Sequence, residues 1–305
     1  ELAKKAFEKD SSVVGLSSHF RDLDNKLGGF HPSDLIIIAG RPSMGKTSLA
    51  TNIAFNIARD AHINNDSNSN VLFFSLEMSS EQLATRILSE QAKISSSDIR
   101  KGNLSENDLN NLVSVSKDIL EIPLYIDDTP AINVGSISSR ARKLKRKNGL
   151  GAIVIDYLQL VRPSKSSKNE TRVLEISDIT QSLKALAKEL NIPIIALSQL
   201  SRQVEQRDDK KPQLSDLRES GSIEQDSDVV MFIFREEYYL EKNEPALGTS
   251  DYIEWQQKME EIHGQADLLI AKQRHGPTGN IKLSFERKYT RFGNFISKSE
   301  SDSYE

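Results

Sequence analysis

The chain has 305 residues, enough for one large α/β domain or two small ones. Hydrophobic residues make up 37% and charged residues 28%, and mean hydropathy is −0.47, so the chain reads as soluble and globular. No apolar run approaches the ~20 residues that span a bilayer, and the absence of cysteine removes disulfides and thiolate metal sites, as fits a cytoplasmic location. A formal net charge of −4 gives no bulk attraction for nucleic acid, so any such surface must be local.

Residues 1–10 are charged and lack the apolar core of a signal peptide. Leu2, Ala3, Ala6 and Phe7 share one side of a helical pattern, read either as the end of an interdomain linker helix or as a frayed terminal helix. The main domain is placed at residues 11–298, with a polar tail over 299–305. Residues 16–30 end in a glycine turn that hands over to the strand 35–39.

That strand leads into Gly40–Arg41–Pro42–Ser43–Met44–Gly45–Lys46–Thr47, a full match to G-x-x-x-x-G-K-[ST]. Beyond it the apolar period becomes helical, on Leu49, Ala50, Ile53, Ala54, Ile57 and Ala58. Strand, glycine loop and helix are the context that makes the motif a phosphate-binding loop. Glycines let the backbone turn its N–H groups inward at a helix N-terminus, where the dipole favours an anion. Lys46 would neutralise the β- and γ-phosphates of ATP, and the Thr47 hydroxyl would ligate Mg²⁺.

Further strands are expected over 71–75, 123–126, 152–156, 192–197, 229–234 and 266–271, with an edge β-pair over 281–285. Helical patterns fill 81–93, 97–120, 137–148 and 173–190. The polar stretches 64–70 and 164–170 read as loops. The helix over 137–148 is basic, and its charge reads as a solvated face or as a nucleic-acid contact. Continuous apolar strands alternating with helices argue for a mostly parallel sheet covered on both faces.

In such sheets ligands sit at the carboxyl ends of strands. Asp156 closes an apolar strand, the pattern of a carboxylate that holds Mg²⁺. Glu77 could polarise an attacking water, or could simply cap the following helix. Gln199 could touch a γ-phosphate through an uncharged amide, or bond a neighbouring loop. Residues 217–222 form a glycine-containing stretch that can offer N–H groups and Arg218 to phosphates, though composition alone reads as a surface loop. Lys272 and Arg274 lie far downstream. They fit either a solvated hairpin end or a cationic finger given to a neighbour's ATP.

These residues together resemble the C-terminal ATPase domain of the DnaB family of replicative DNA helicases, over nearly the whole chain. The likeness rests on six motifs in order, at 40–47, 75–79, 155–160, 196–202, 217–226 and 272–279. It implies a RecA-like P-loop NTPase core and a homo-hexameric ring that moves along single-stranded DNA as ATP is hydrolysed. It makes Glu77 the catalytic carboxylate, Gln199 a sensor, and Lys272 and Arg274 trans-acting. Ser43, Gly45, Ser48 and Arg86 become nucleotide contacts, and Arg218, Glu219 and Gly221 DNA contacts. Primase and a helicase loader are implied as partners of a longer parent. Residues 238–262 are longer than the shortest members need and receive no role. A recombinase-type strand-pairing filament and an ATP-gated scaffold without motor activity are the alternatives. Particle shape and the response of ATP turnover to DNA separate them.

Overall fold

The computed structural model describes residues 13–163, 171–217 and 220–296. The linker pattern over 1–10, the loop over 164–170, Arg218, Glu219 and the tail over 299–305 lie outside the described residues. No helix among those described is long and apolar enough to cross a membrane.

Among the described residues nine strands form one sheet: β1 Leu35–Gly40, β2 Val71–Ser75, β3 Leu124–Asp127, β4 Ala152–Asp156, β5 Ile194–Gln199, β6 Val229–Phe234, β7 Gln265–Gln273, β8 Gly279–Glu286 and β9 Arg291–Asn294. Their order is β3-β2-β4-β5-β1-β6-β7-β8-β9. The strands from β3 to β6 pair in parallel, and β7, β8 and β9 continue antiparallel. β6 therefore ends where β7 begins, and the far end of β7 lies beside the start of β6, with Val229 opposite Gln273.

Along β1 alternate residues enter opposite cores. Ile36 and Ile38 join Leu49, Ile53 and Leu83, while Leu35 and Ile37 join Ile137, Ile179 and Leu183. The first core lies under α2 (Lys46–Ile63) and α3 (Ser80–Ala92), the second under α6 (Val134–Asn148) and α7 (Arg172–Leu190). Covering both faces explains why the central strands carry no polar alternation.

The remaining helices refine the sequence reading. α1 (Arg21–Leu27) forms ahead of the glycine turn, in a stretch to which the sequence assigned no element. Asp24 folds it, accepting bonds from the Ser18 amide and the Ser17 and Ser18 hydroxyls. The helical pattern over 97–120 divides into α4 (Ser96–Lys101) and α5 (Glu106–Leu120), because Gly102 takes φ 67° and Ser105 starts a fresh capping box. Leu112 is buried there, whereas Leu109 and Val113 face outward. α8 (Ser220–Asp226) forms within the stretch read as a loop, and puts Gly221 in a helical first turn. The long segment 238–262 becomes α9 (Glu236–Lys242) and α10 (Ser250–Ile262), joined where the Trp255 indole donates to the Leu240 carbonyl. The β-pair expected at the edge over 281–285 is there: β8 pairs antiparallel with β9, which closes that side of the sheet.

Candidate functional site

β1, β5 and β6 bring their carboxyl ends together, with Gly40 opposite Gln199 and Ala39 opposite Phe232. β2 and β4 do the same alongside, with Ser75 opposite Asp156. Above these ends opens a cleft of about 590 Å³. Ser43, Gly45, Lys46, Thr47 and Ser48 line one wall, and Glu77, Arg86 and Gln199 another.

The loop before α2 owes its path to two left-handed residues, Ser43 at φ 68° and Gly45 at φ 97°. At Gly45 a side chain would also meet the Phe292 ring, 2.8 Å from an added Cβ, so glycine is required twice over. α2 then starts at Lys46 with its first N–H groups turned to the cleft. The Lys46 ammonium donates to the Gly40 carbonyl at 2.8 Å. Burial lowers its pKa, opposed by the charges of Asp156 and Glu77.

Asp156 lies under the cleft, 1% exposed, and neither carboxylate oxygen reaches a partner at full hydrogen-bond geometry. Burial pushes its pKa up to about 6, although the Thr47 hydroxyl beside it favours the charged form. A buried, unsatisfied carboxylate next to a threonine hydroxyl suits a hard cation that takes oxygen ligands. Among the described residues no cluster of three or more His, Cys, Asp or Glu could hold a metal by itself. Any ion here would need ligand oxygens from elsewhere, as when it arrives with a nucleotide.

Glu77 sits in the turn after β2. The turn is tied down by the Leu76 amide bonding the Asp156 carbonyl at 2.8 Å and by the Ser75 hydroxyl bonding the Met78 carbonyl at 2.7 Å. The capping alternative for Glu77 does not hold: Ser79 caps α3, in a reciprocal box with Gln82. Arg86 reaches the cleft one and a half turns into α3; burial lowers its pKa, and the charges of Asp156, Glu77 and Glu90 oppose that.

Sequence reading missed the third wall, formed by Arg235, Tyr238, Glu241, Phe285, Arg287 and Thr290. Arg235 is 5% exposed, lies 4.0 Å over the Phe285 ring and pairs with Glu237 at 3.2 Å. One signal pointed to it: it follows β6 directly, as Asp156 closes β4. Arg287 and Thr290 gave no such signal, because only the antiparallel return of β8 carries them to this end of the sheet. Arg41 was also passed over; it pairs with Glu205 at 2.9 Å and donates to the Leu200 carbonyl at 3.1 Å.

Lys272 and Arg274 are not at this cleft. Lys272 is the penultimate residue of β7 and Arg274 lies just past its end, beside the start of β6 and at the opposite end of the sheet. Gly221 lies near them, in α8 just before β6, and an added Cβ there meets nothing within 4 Å.

A two-faced, mostly parallel sheet, a glycine loop opening a helix at Lys46, and a buried strand-end aspartate define a RecA-like P-loop NTPase core. Comparison with known proteins narrows this. The family model described as DnaB-like helicase C terminal domain matches residues 15–294, and the chain belongs to that family. The replicative DNA helicase DnaB of Rickettsia typhi is 55% identical over 299 residues, covering 97% of this chain and 60% of that protein. Its counterpart from Geobacillus stearothermophilus is 46% identical over 286 residues, covering 94% of this chain and 58% of the relative. The chain therefore spans about 60% of the length of these curated relatives. Among solved structures, the ATPase domain of G40P superposes with a TM-score of 0.82 at 35% identity, over 97% of this chain and 96% of that one. A structure described as a DnaB-like replicative helicase and its interactions with primase also gives 0.82, at 34% identity, over 97% and 65% of the two chains.

Proposed function

We propose that this chain is the ATP-driven motor of a replicative DNA helicase, acting in a homo-hexameric ring to translocate on single-stranded DNA and unwind duplex. The names of its relatives support the class. The likeness to a helicase described with its primase interactions supports primase as a partner of the longer protein, and a loader belongs to the same reading.

In this reading the N–H groups of residues 43–48 receive the phosphates of ATP, and Lys46 exchanges the Gly40 carbonyl for β/γ-phosphate oxygens. Thr47 and Asp156 hold Mg²⁺, which when bound neutralises charge on the phosphate oxygens. Ser43, Ser48 and Arg86 add contacts, and the base and ribose lie towards Tyr238 and Phe285. Glu77 takes a proton from water as the water oxygen bonds the γ-phosphorus. The bond to the bridging oxygen breaks, leaving ADP and phosphate. Gln199 senses the γ-phosphate. Lys272 and Arg274 stabilise transition-state charge in the pocket of an adjoining copy. Arg218, Glu219 and Gly221 grip the strand through its backbone, without sequence preference and with steep salt dependence.

One observation carries the reading. The phosphate loop and the Lys272–Arg274 pair stand at opposite ends of one sheet, so a single chain does not complete its own pocket with them. ATP turnover, measured with and without single-stranded DNA alongside a mass determination, tests it. Stimulation by DNA in an assembled form is expected. Full, DNA-indifferent turnover by a monomer would overturn it.

A further inference from the structure

The phosphate loop turns on two left-handed residues, Ser43 and Gly45, and the antiparallel end of the sheet touches both. The Phe292 ring of β9 lies behind Gly45, where an added Cβ would meet it at 2.8 Å. That ring packs at 4.7 Å on Phe285, its partner across the β8–β9 pair. Arg235 lies over the same Phe285 ring and donates to the Ser43 carbonyl at 3.4 Å.

Asn52 fastens β9 to the helix that the loop opens. It stands on α2 about two turns beyond Gly45 and is 2% exposed. Its side-chain oxygen accepts from the Phe292 amide at 2.7 Å, and its side-chain nitrogen donates to the Glu90 carboxylate of α3. With both ends of the amide used, only one orientation satisfies the site. Glu90 is buried too, and accepts from Gln91 at 3.2 Å. Arg59 on α2 and Arg291 on β9 favour its charged form; burial and Glu286 on β8 oppose it. Asn52, Glu90 and Phe292 stand behind the cleft rather than in its lining.

We propose that Asn52 and Phe292 are positioning residues for nucleotide binding: Asn52, anchored on Glu90, clamps β9 to α2 and so keeps the Phe292 ring behind Gly45, holding the phosphate loop in its binding shape before ATP arrives. The proposal rests on the reading of the cleft as an ATP pocket. Left-handed residues cost energy and persist where their surroundings fix them. A loop fixed in advance spends no binding energy on ordering. Ground state and transition state use the same loop N–H groups. Loosening the clamp therefore weakens binding of ATP and ADP alike and leaves the step at the γ-phosphorus nearly as fast.

Three variants test this, each first shown to be folded by thermal melting. Phe292→Leu keeps the backbone bond and removes the ring. Asn52→Asp sets a carboxylate against Glu90. Asn52→Asp combined with Glu90→Gln restores the pair with donor and acceptor exchanged. Calorimetry gives the affinity for ADP and for inorganic pyrophosphate, which occupies the phosphate loop alone. Both affinities should fall about tenfold in Phe292→Leu and in Asn52→Asp, with kcat for ATP within about twofold of the parent chain, and the double variant should recover most of the loss. In Asn52→Asp the loss should deepen from about pH 6 to about pH 8, as the facing carboxylates both ionise. Unchanged affinity in folded Phe292→Leu overturns the proposal by itself, because the path from Asn52 runs through that ring. Affinity kept in Asn52→Asp at about pH 8, or a double variant no better than Asn52→Asp, overturns the role given to Asn52. A parent chain that binds neither ADP nor pyrophosphate removes the ATP-pocket reading instead, and the clamp's role with it.

Discussion

Two buried aspartates stand at opposite ends of the sheet. Asp156, at the phosphate-loop end, has neither oxygen satisfied and a pKa pushed up to about 6 by burial. Asp228, at the far end, is as buried yet accepts from the Leu35 amide, Lys184 and Arg274. The same side chain is thus left wanting at one end and saturated at the other. An unsatisfied buried carboxylate costs stability, which suits a group kept for a ligand; a saturated one fixes the fold around it.

Replacing each aspartate by asparagine should break that symmetry. Asp156→Asn is expected to lower Mg²⁺-dependent ATP turnover about a thousandfold, as loss of a charge-stabilising group does. It should also stabilise the free chain near pH 7. A raised carboxyl pKa favours folding below the unfolded value and loses that contribution as pH rises through about 6. Removing the charge recovers about 3 kcal/mol, readable by denaturant titration. Asp228→Asn should do the reverse, costing about 3 kcal/mol because Lys184 is left buried beside a neutral amide.

A smaller effect sharpens the same contrast. Glu90 is buried on α3, takes a bond from Asn52, and has its pKa pushed up to about 7 by desolvation, with Arg291 and Arg59 opposing. Stability should fall as pH rises from about 5 to 8, and Glu90→Gln should flatten that slope in thermal melts recorded across the range.

The phosphate-loop end was largely legible in the sequence because its parts are local. A glycine spacing, an apolar strand and a terminal carboxylate are each written within ten residues, and Asp156, Glu77 and Gln199 all fell where parallel strands end. What escaped was built by long-range return. Arg287 and Thr290 reach the cleft only because β8 runs back antiparallel, and no local period encodes that reversal. α8 was read as a loop because seven residues rich in serine and glycine carry little helical signal. Its end is held by Lys272 and Arg274, almost fifty residues downstream. The segment 238–262 shows the same limit: the sequence assigned it neither element nor role, and that Tyr238 and Glu241 enter the cleft follows from packing.

Mixing Lys46→Ala with Arg274→Ala subunits puts the shared pocket to the test most directly. Each variant alone should be nearly inactive in ATP turnover. Mixed assemblies should recover a substantial fraction of it, because an intact Arg274 on one subunit meets an intact Lys46 on the next. Turnover that stays at the single-variant level across all mixing ratios, in assemblies shown to contain both chains, would contradict the account.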